Sequence, residues 1–533
     1  MKLPATSVAL IALVTWIGSS ASAAEPRVSK YQRYDAGDYV IVSSRGNAQA
    51  RRIMEDLAKF RVTLERALGK RAVRNQAPTT IIIASDLDWK NWLQPRAMVA
   101  GYFQQGRFSN RMAIDGDETL ENALAVIFHE YTHYYLATQF AGEYPPWFNE
   151  GLAELMGYAK FEKGQTVLRI PMGRVYEARD GDWIPFERMI KVDHHDAEYQ
   201  SHRLMPSFYA QSWLTLHYGM VENREFGRQI IDYLNDLNRL TPQDEAISKA
   251  FGADLSQVDA RLKAYSRQRN LNSGAMALGE IPPITIAEGK PISEVDTLSF
   301  LAGFLFDTRQ SPERVRPLVE ALERRDPNKA RAAIHAARLA QRKDDHEGFD
   351  AAVARAEAAL APGDWEQRRE LATALLDSDI SGNLLSTRSK EATDADLRRA
   401  LKWFGQAITV NNQDVESLWG FGTAASRLDQ HLDLAEQALI AAYRRSPTSA
   451  DIAVSLANIK SRQQKPDEMI PYLEDVLRYA TDLGTRRWAT ETLDEVQKWL
   501  AERDQEESEN RRKREEYEKA LAEYEKKYGR KKK

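Results

Sequence analysis

The chain has 533 residues, 43% hydrophobic and 29% charged, with a formal net charge of -4. It is too long for one hydrophobic core, and it lacks the basic excess of a nucleic-acid binder. It contains no cysteine, which excludes disulfides, thiol nucleophiles and cysteine metal ligands and leaves His, Asp and Glu to build any metal site.

Met1-Lys2 supplies a short positive start, Val8 to Gly18 an apolar run, and Ser19-Ser20-Ala21-Ser22-Ala23 small residues ending in Ala-x-Ala. This is the pattern of a secretory signal peptide over residues 1–23, with an apolar run too short to span a bilayer comfortably. Export without cysteine points to a bacterial periplasm. No integral membrane segment is expected after cleavage.

Asp38 to Val42 reads as a strand, and Ile53, Leu57, Phe60, Leu64 and Leu68 share one face of a helix from about Ala48 to Leu68. Thr79 to Ile83 is a buried strand by its β-branched content. Arg111 to Ile114 reads as another, expected at a sheet edge where an extended peptide pairs. The order suggests an α+β domain. A strongly apolar helix follows from Leu120 to about Thr138, then a second opening at Pro145-Pro146, and further helices near Ser207 to Tyr218, Arg224 to Leu237 and Leu255 to Tyr265. Gly and Pro residues between Ser273 and Pro291 suggest a linker over residues 271–295.

From residue 296 to about 500 the chain is nearly all helix. Trp419, Ala435, Leu439, Ala442 and Pro447 keep the mutual offsets of one repeat unit, and Ala453, Met469, Leu473, Val476 and Thr481 lie 34 residues further on. Ala330 to Ala340 with Phe349 to Leu360 form an earlier, degenerate pair. The segment resembles tetratricopeptide repeats, which implies protein partners. Residues 501–533 are a charge run with i,i+4 pairs such as Glu515/Lys519 and a narrow stripe of Tyr517, Leu521, Tyr524 and Tyr528, expected as a solvated, partly frayed helix.

The chemistry concentrates in Val126 to Leu136. On a helix, His129 and His133 lie one turn apart on one face, so two imidazoles converge on one ion, while Glu130 stands beside that face within reach of an ion-bound water. A third ligand is needed. With Leu136 and Gln139, the metzincin continuation by glycine and histidine is excluded. An acidic residue from Asn149-Glu150-Gly151-Leu152-Ala153-Glu154, on a helix returning across a short loop, completes a His₂Glu set.

The pairing of H-E-x-x-H with N-E-G-x-A-E resembles the gluzincin metallopeptidases, and within them peptidase MA-like bacterial domains. The resemblance spans roughly Tyr31 to Asn270 and is specific from Phe128 to Glu154. It implies a zinc-metallopeptidase domain over residues 24–270, with His129, His133 and Glu150 as zinc ligands and Glu130 as general base. It places Glu154 where a carboxylate orients a ligand histidine. It also implies an oxyanion-stabilising tyrosine near a helix start, a place that Tyr209 fits, with His202 as competitor and His194-His195 behind it. The sixteen residues between His133 and Glu150 make a tight connection. The acidic G-x-M-E-N-like element of the aminopeptidases is missing, which weakens an exopeptidase reading.

Trp147 and Phe148 are expected in the core, and His194, His195, His202 and His217 are too irregularly spaced for a second metal. The expected function is hydrolysis of peptide bonds in a peptide or protein substrate, with the repeats binding partners or substrate. The alternatives are a periplasmic scaffold with a weakly active or inert metal domain, and a zinc hydrolase of another substrate class.

Overall fold

The computed structural model describes residues 26–528 apart from 38, 70–77, 95–100, 118, 140–143, 194–195, 202, 240, 284, 377–391 and 481–482. The signal-like segment therefore lies outside the described residues, as do His194, His195, His202 and Thr481. No helix among the described residues is long and apolar enough to cross a membrane.

The strands are β1 (Gln32–Ala36), β2 (Tyr39–Ser43), β3 (Thr79–Ala84), β4 (Gly101–Gln105), β5 (Asn110–Asp115), β6 (Ala159–Glu162), β7 (Gln165–Leu168), β8 (Gly274–Ala277) and β9 (Lys290–Pro291). They form a six-stranded sheet in the order β4-β5-β3-β2-β1-β9 and a three-stranded sheet β6-β7-β8. In the larger sheet β3 pairs in parallel with both β2 and β5, Ile81 lying opposite Ile41 and Met112. The outer pairs are antiparallel. Arg111 to Ile114, expected at an edge, instead pair on both sides; the edge strand on that side of the sheet is β4.

Around the sheet lie α1 (Asn47–Leu68), α2 (Leu120–Gln139), α3 (Pro146–Gly157), α4 (Met172–Asp180), α5 (Met205–His217), α6 (Arg224–Asn238), α7 (Gln243–Phe251) and α8 (Ser256–Ser266). The predicted stripe of α1 is buried at Ile53, Leu57, Phe60 and Leu64. The side-chain period of two divides the sheet cleanly. Ile41, Ile81, Ile83, Met112 and Ile114 enter the core shared with α1, α2 and α3. Val42, Ile82, Ala84 and Ala113 enter a second core on the opposite face. Burial on both faces is why Thr79 to Ala84 is a nearly continuous apolar run.

That second core is completed by the start of the repeat region. Leu298, Leu301 and Leu305 of α9 (Glu294–Asp307), with residues of α10 (Pro312–Arg325) and α11 (Lys329–Gln341), pack on the sheet. The segment expected as a linker departs from that expectation as well. It contributes β8 to the small sheet and β9 to the large one. These are two short extended pieces, four and two residues long, and their pairing ties the segment to both sheets. The metal-motif region and the repeats thus share a core.

The array continues with α12 (His346–Ala359), α13 (Trp365–Leu376), α14 (Asp394–Val410), α15 (Val415–Arg427), α16 (Leu432–Arg445), α17 (Ala450–Arg462) and α18 (Ile470–Tyr479). Helices pack as consecutive pairs from α9/α10 to α17/α18, and the first helix of each pair also meets the first of the next. This is an α-helical repeat array. Its buried positions include the predicted Trp419, Ala435, Leu439, Ala442, Ala453, Leu473 and Val476. The long α19 (Leu483–Tyr528) docks through Ala489 and Val496, whereas Tyr517, Leu521 and Tyr524 are exposed.

Candidate metal centre

Helix α2 begins where the Thr119 hydroxyl accepts the Asn122 amide, an N-cap that satisfies one free donor of the first turn. Ile127, Phe128, Tyr131, Tyr134 and Tyr135 anchor it in the core. Helix α3 starts with Pro146 in its first turn, and Trp147 and Phe148 are buried as expected. Gly151 decides how close α3 comes to α5: a Cβ there would stand 2.5 Å from the Ser212 carbonyl oxygen. The glycine of N-E-G thus lets two helix backbones nearly touch, which brings the residues beside it and those of α5 into one site.

The structure brings His129, His133 and Glu150 together, one ligand atom from each lying within 4.8 Å of the others. His133 Nε2 is 3.1 Å from His129 Nε2. Glu150 Oε2 is 3.4 Å from His129 Nε2 and 3.5 Å from His133 Nε2. A tetrahedral ion with bonds of about 2.0–2.1 Å has ligand–ligand edges of about 3.3 Å. The three separations match that triangle. Glu150 is 5% exposed, and its Oε2 makes no hydrogen bond. A buried carboxylate oxygen left bare beside two imidazole nitrogens is the donor set of a cation site, so these residues fit a zinc ion.

The surrounding groups aim these donors. His133 Nδ1 lies 2.8 Å from Asn149 Oδ1, so its ring N–H donates there and Nε2 is left to face the centre. The Tyr199 hydroxyl donates to Glu150 Oε1 at 2.8 Å, leaving Oε2 directed at the histidines. Glu154 Oε1 is 3.6 Å from His129 Nδ1 and is clamped by Arg174, whose Nε and terminal nitrogen donate to its two oxygens at 2.8 and 2.6 Å. Tyr209 lies in the same cluster, its ring parallel to that of His129 at 6.5 Å and 6.2 Å from Tyr199.

Electrostatics follow the geometry. Burial and the nearby Glu150 raise the Glu130 carboxyl above its ordinary range, opposed by both histidines and by the Phe103 backbone amide that donates to it. Glu150 is held well below that range: burial opposes ionisation, but His133 and His129 outweigh it. Burial would lower His133, yet the Glu150 carboxylate wins and pushes it up to about 9. Burial together with Glu150 drives the Tyr209 hydroxyl far upward, so it is a proton-bearing donor at any physiological pH.

Tyr199, Arg174 and Asn149 were not singled out from sequence as functional. Asn149 adjoined a recognisable motif, but Tyr199 sits on the short helical turn Ala197–Gln200 and Arg174 on α4, each without local pattern. His217 is a satisfied core histidine, paired with the Tyr265 hydroxyl and the Asn272 carbonyl.

No family model matches the chain, and no curated protein matches it significantly. Among solved structures it is similar to YrrB, described as a TPR protein with an unusual peptide-binding site, at 16% identity over 37% of this chain and 92% of that one, with a TM-score of 0.28. A thermophilic TPR protein of Thermus thermophilus aligns at 19% identity over 37% of this chain and 98% of that one, with a TM-score of 0.28. Yeast Tom70 aligns at 14% identity over 62% of this chain and 69% of that one, with a TM-score of 0.30. The helical array stands on its own packing, and likenesses at these scores add nothing to the reading of the metal centre.

Proposed function

We propose that this protein is an exported zinc-dependent peptidase of the gluzincin type, with a helical array that receives protein partners or substrate. The observation that carries the reading is the triangle of His129 Nε2, His133 Nε2 and Glu150 Oε2, with Glu130 adjoining it on α2. Zinc bound there would polarise a water and a substrate carbonyl.

The protein's own residues supply the rest. Glu130, with its raised proton affinity, takes a proton from the attacking water and delivers it to the leaving amine. Tyr209 keeps its proton and donates a hydrogen bond to the carbonyl oxygen as charge develops. Glu154 and Arg174 hold His129 in place, and Tyr199 and Asn149 fix the aim of Glu150 and His133. Location in a bacterial periplasm rests on the N-terminal pattern and the absence of cysteine.

The test is Glu130→Gln, assayed on an unfolded polypeptide with metal content measured in parallel. Zinc should remain stoichiometric while chelator-sensitive hydrolysis falls by roughly 10²–10⁴-fold. Cleavage undiminished in that variant would overturn the role of Glu130. Stoichiometric zinc in a wild-type protein that cleaves no polypeptide would favour the scaffold reading instead.

A further inference from the structure

The β4–β5 hairpin reaches from the metal centre to the array. Its turn is closed by the Gly106 amide donating to the Ser109 carbonyl at 3.0 Å. At the tip, the Arg107 guanidinium lies 4.2 Å over the Trp419 ring of α15 and 3.3 Å from Asp451 of α17. Phe108 stands 5.2 Å from the same Trp419 ring and packs against the core of the array. Trp419 is itself pinned, its indole N–H donating to Ser455 of α17 at 3.0 Å. Just past the turn, where Arg111 lies opposite Gln104, its guanidinium pairs with Asp307 of α9 at 2.8 Å, and Arg338 of α11 holds the other oxygen. Helices as far apart in sequence as α9 and α17 therefore grip one hairpin.

The other arm of that hairpin is β4, paired with a single neighbouring strand among the described residues. It lies close against α2, since a Cβ on Gly101 would stand 2.4 Å from Val126, and the Phe103 ring is 5.6 Å from that of Tyr134. Its Phe103 amide donates to Glu130.

We propose that the array fixes the place of Glu130 through this hairpin, with Arg107 and Phe108 as positioning residues. Gripping the tip sets how far β4 is drawn along α2, and β4 presents the amide that orients the carboxylate. The structural half of this inference is independent of the reaction; the catalytic half rests on the peptidase reading.

The test uses the full chain carrying Arg107→Ala with Phe108→Ala, and separately Asp451→Asn on the array side. Hydrogen exchange in residues 101–105 should accelerate at least about tenfold, with protection of α2 and α15–α17 retained. In the hydrolysis assay kcat should fall about tenfold to a hundredfold at unchanged KM and zinc content, because a small misplacement of a reacting group is costly. Phe108→Tyr, which keeps the ring, should behave as wild type. Unchanged exchange at 101–105 in both disruptive variants would overturn the proposal. Accelerated exchange in a protein whose wild type hydrolyses nothing would leave the mechanical link standing and remove the peptidase reading.

Discussion

The two faces of the large sheet carry different burdens. On one, Ile41, Ile81, Ile83, Met112 and Ile114 hold α1 and α2, and α2 turns a row of histidines and a glutamate toward carboxylates of α3. On the other, Val42, Ile82, Ala84 and Ala113 meet Leu298, Leu301 and Leu305 of the array, with ion pairs such as Arg111–Asp307 confined to the margin. The first face concentrates polar groups around a buried carboxylate oxygen that has no hydrogen-bond partner; the second is a mainly apolar seam, with a buried hydrogen bond from the Tyr31 hydroxyl to Asp88. A cluster of ionisable side chains needs rigid backing to hold its aim, and here that backing is a sheet clamped from behind by the repeat region.

The seam is the place to break the comparison most forcefully. Leu301→Ala removes a fully buried side chain between α9 and the sheet, and should cost about 2–5 kcal/mol in chemical denaturation. Because the core is shared, β3 and α9–α11 should lose exchange protection together. Two separate transitions would mean the array folds apart from the sheet.

The polar face is probed by Arg174→Ala, which strips both hydrogen bonds from Glu154. Zinc affinity in a competing-chelator titration should fall about 10–100-fold. Arg174→Lys should recover only part of it, since an ammonium cannot reproduce the two-pronged contact. Unaltered affinity in the alanine variant would reduce this pair to a structural one.

A titratable group buried behind the sheet sharpens the contrast at the smallest scale. His335 of α11 bonds the Ser299 hydroxyl of α9, and burial, reinforced by Arg338 and Arg331, pushes its pKa down to about 3. The unfolded chain protonates near 6.5. Below that pH the unfolded state binds a proton that the folded state refuses, so stability is lost as pH falls from about 6.5 toward 3, by up to about 1.4 kcal/mol per pH unit. His335→Gln should flatten this slope when denaturation midpoints at pH 7 and pH 5 are compared. A slope unchanged from wild type would place the acid sensitivity elsewhere.

Much of the site was legible from residue order because it is local. His129, Glu130 and His133 fall on one helix by the 3.6-residue period, and Glu150 and Glu154 follow on the next helix, one turn apart. The array was legible for a similar reason, as its buried positions recur at a fixed interval. Short elements were not. Gly101 to Gln105 and Ala159 to Leu168 carry too little alternation to announce strands, and Tyr199 and Arg174 reach the centre from elements without a pattern of their own.

The sequence by itself determined which groups share a helix face and where the apolar stripes run, since both follow from backbone periodicity. Only the tertiary structure decided that Gly274–Ala277 and Lys290–Pro291 are sheet strands, that β4 rather than β5 lies at an edge, and that the array closes the back of the sheet. Those are long-range outcomes: a strand finds its partner, and an apolar face its cover, from residues hundreds of positions away, and no local spacing encodes that choice.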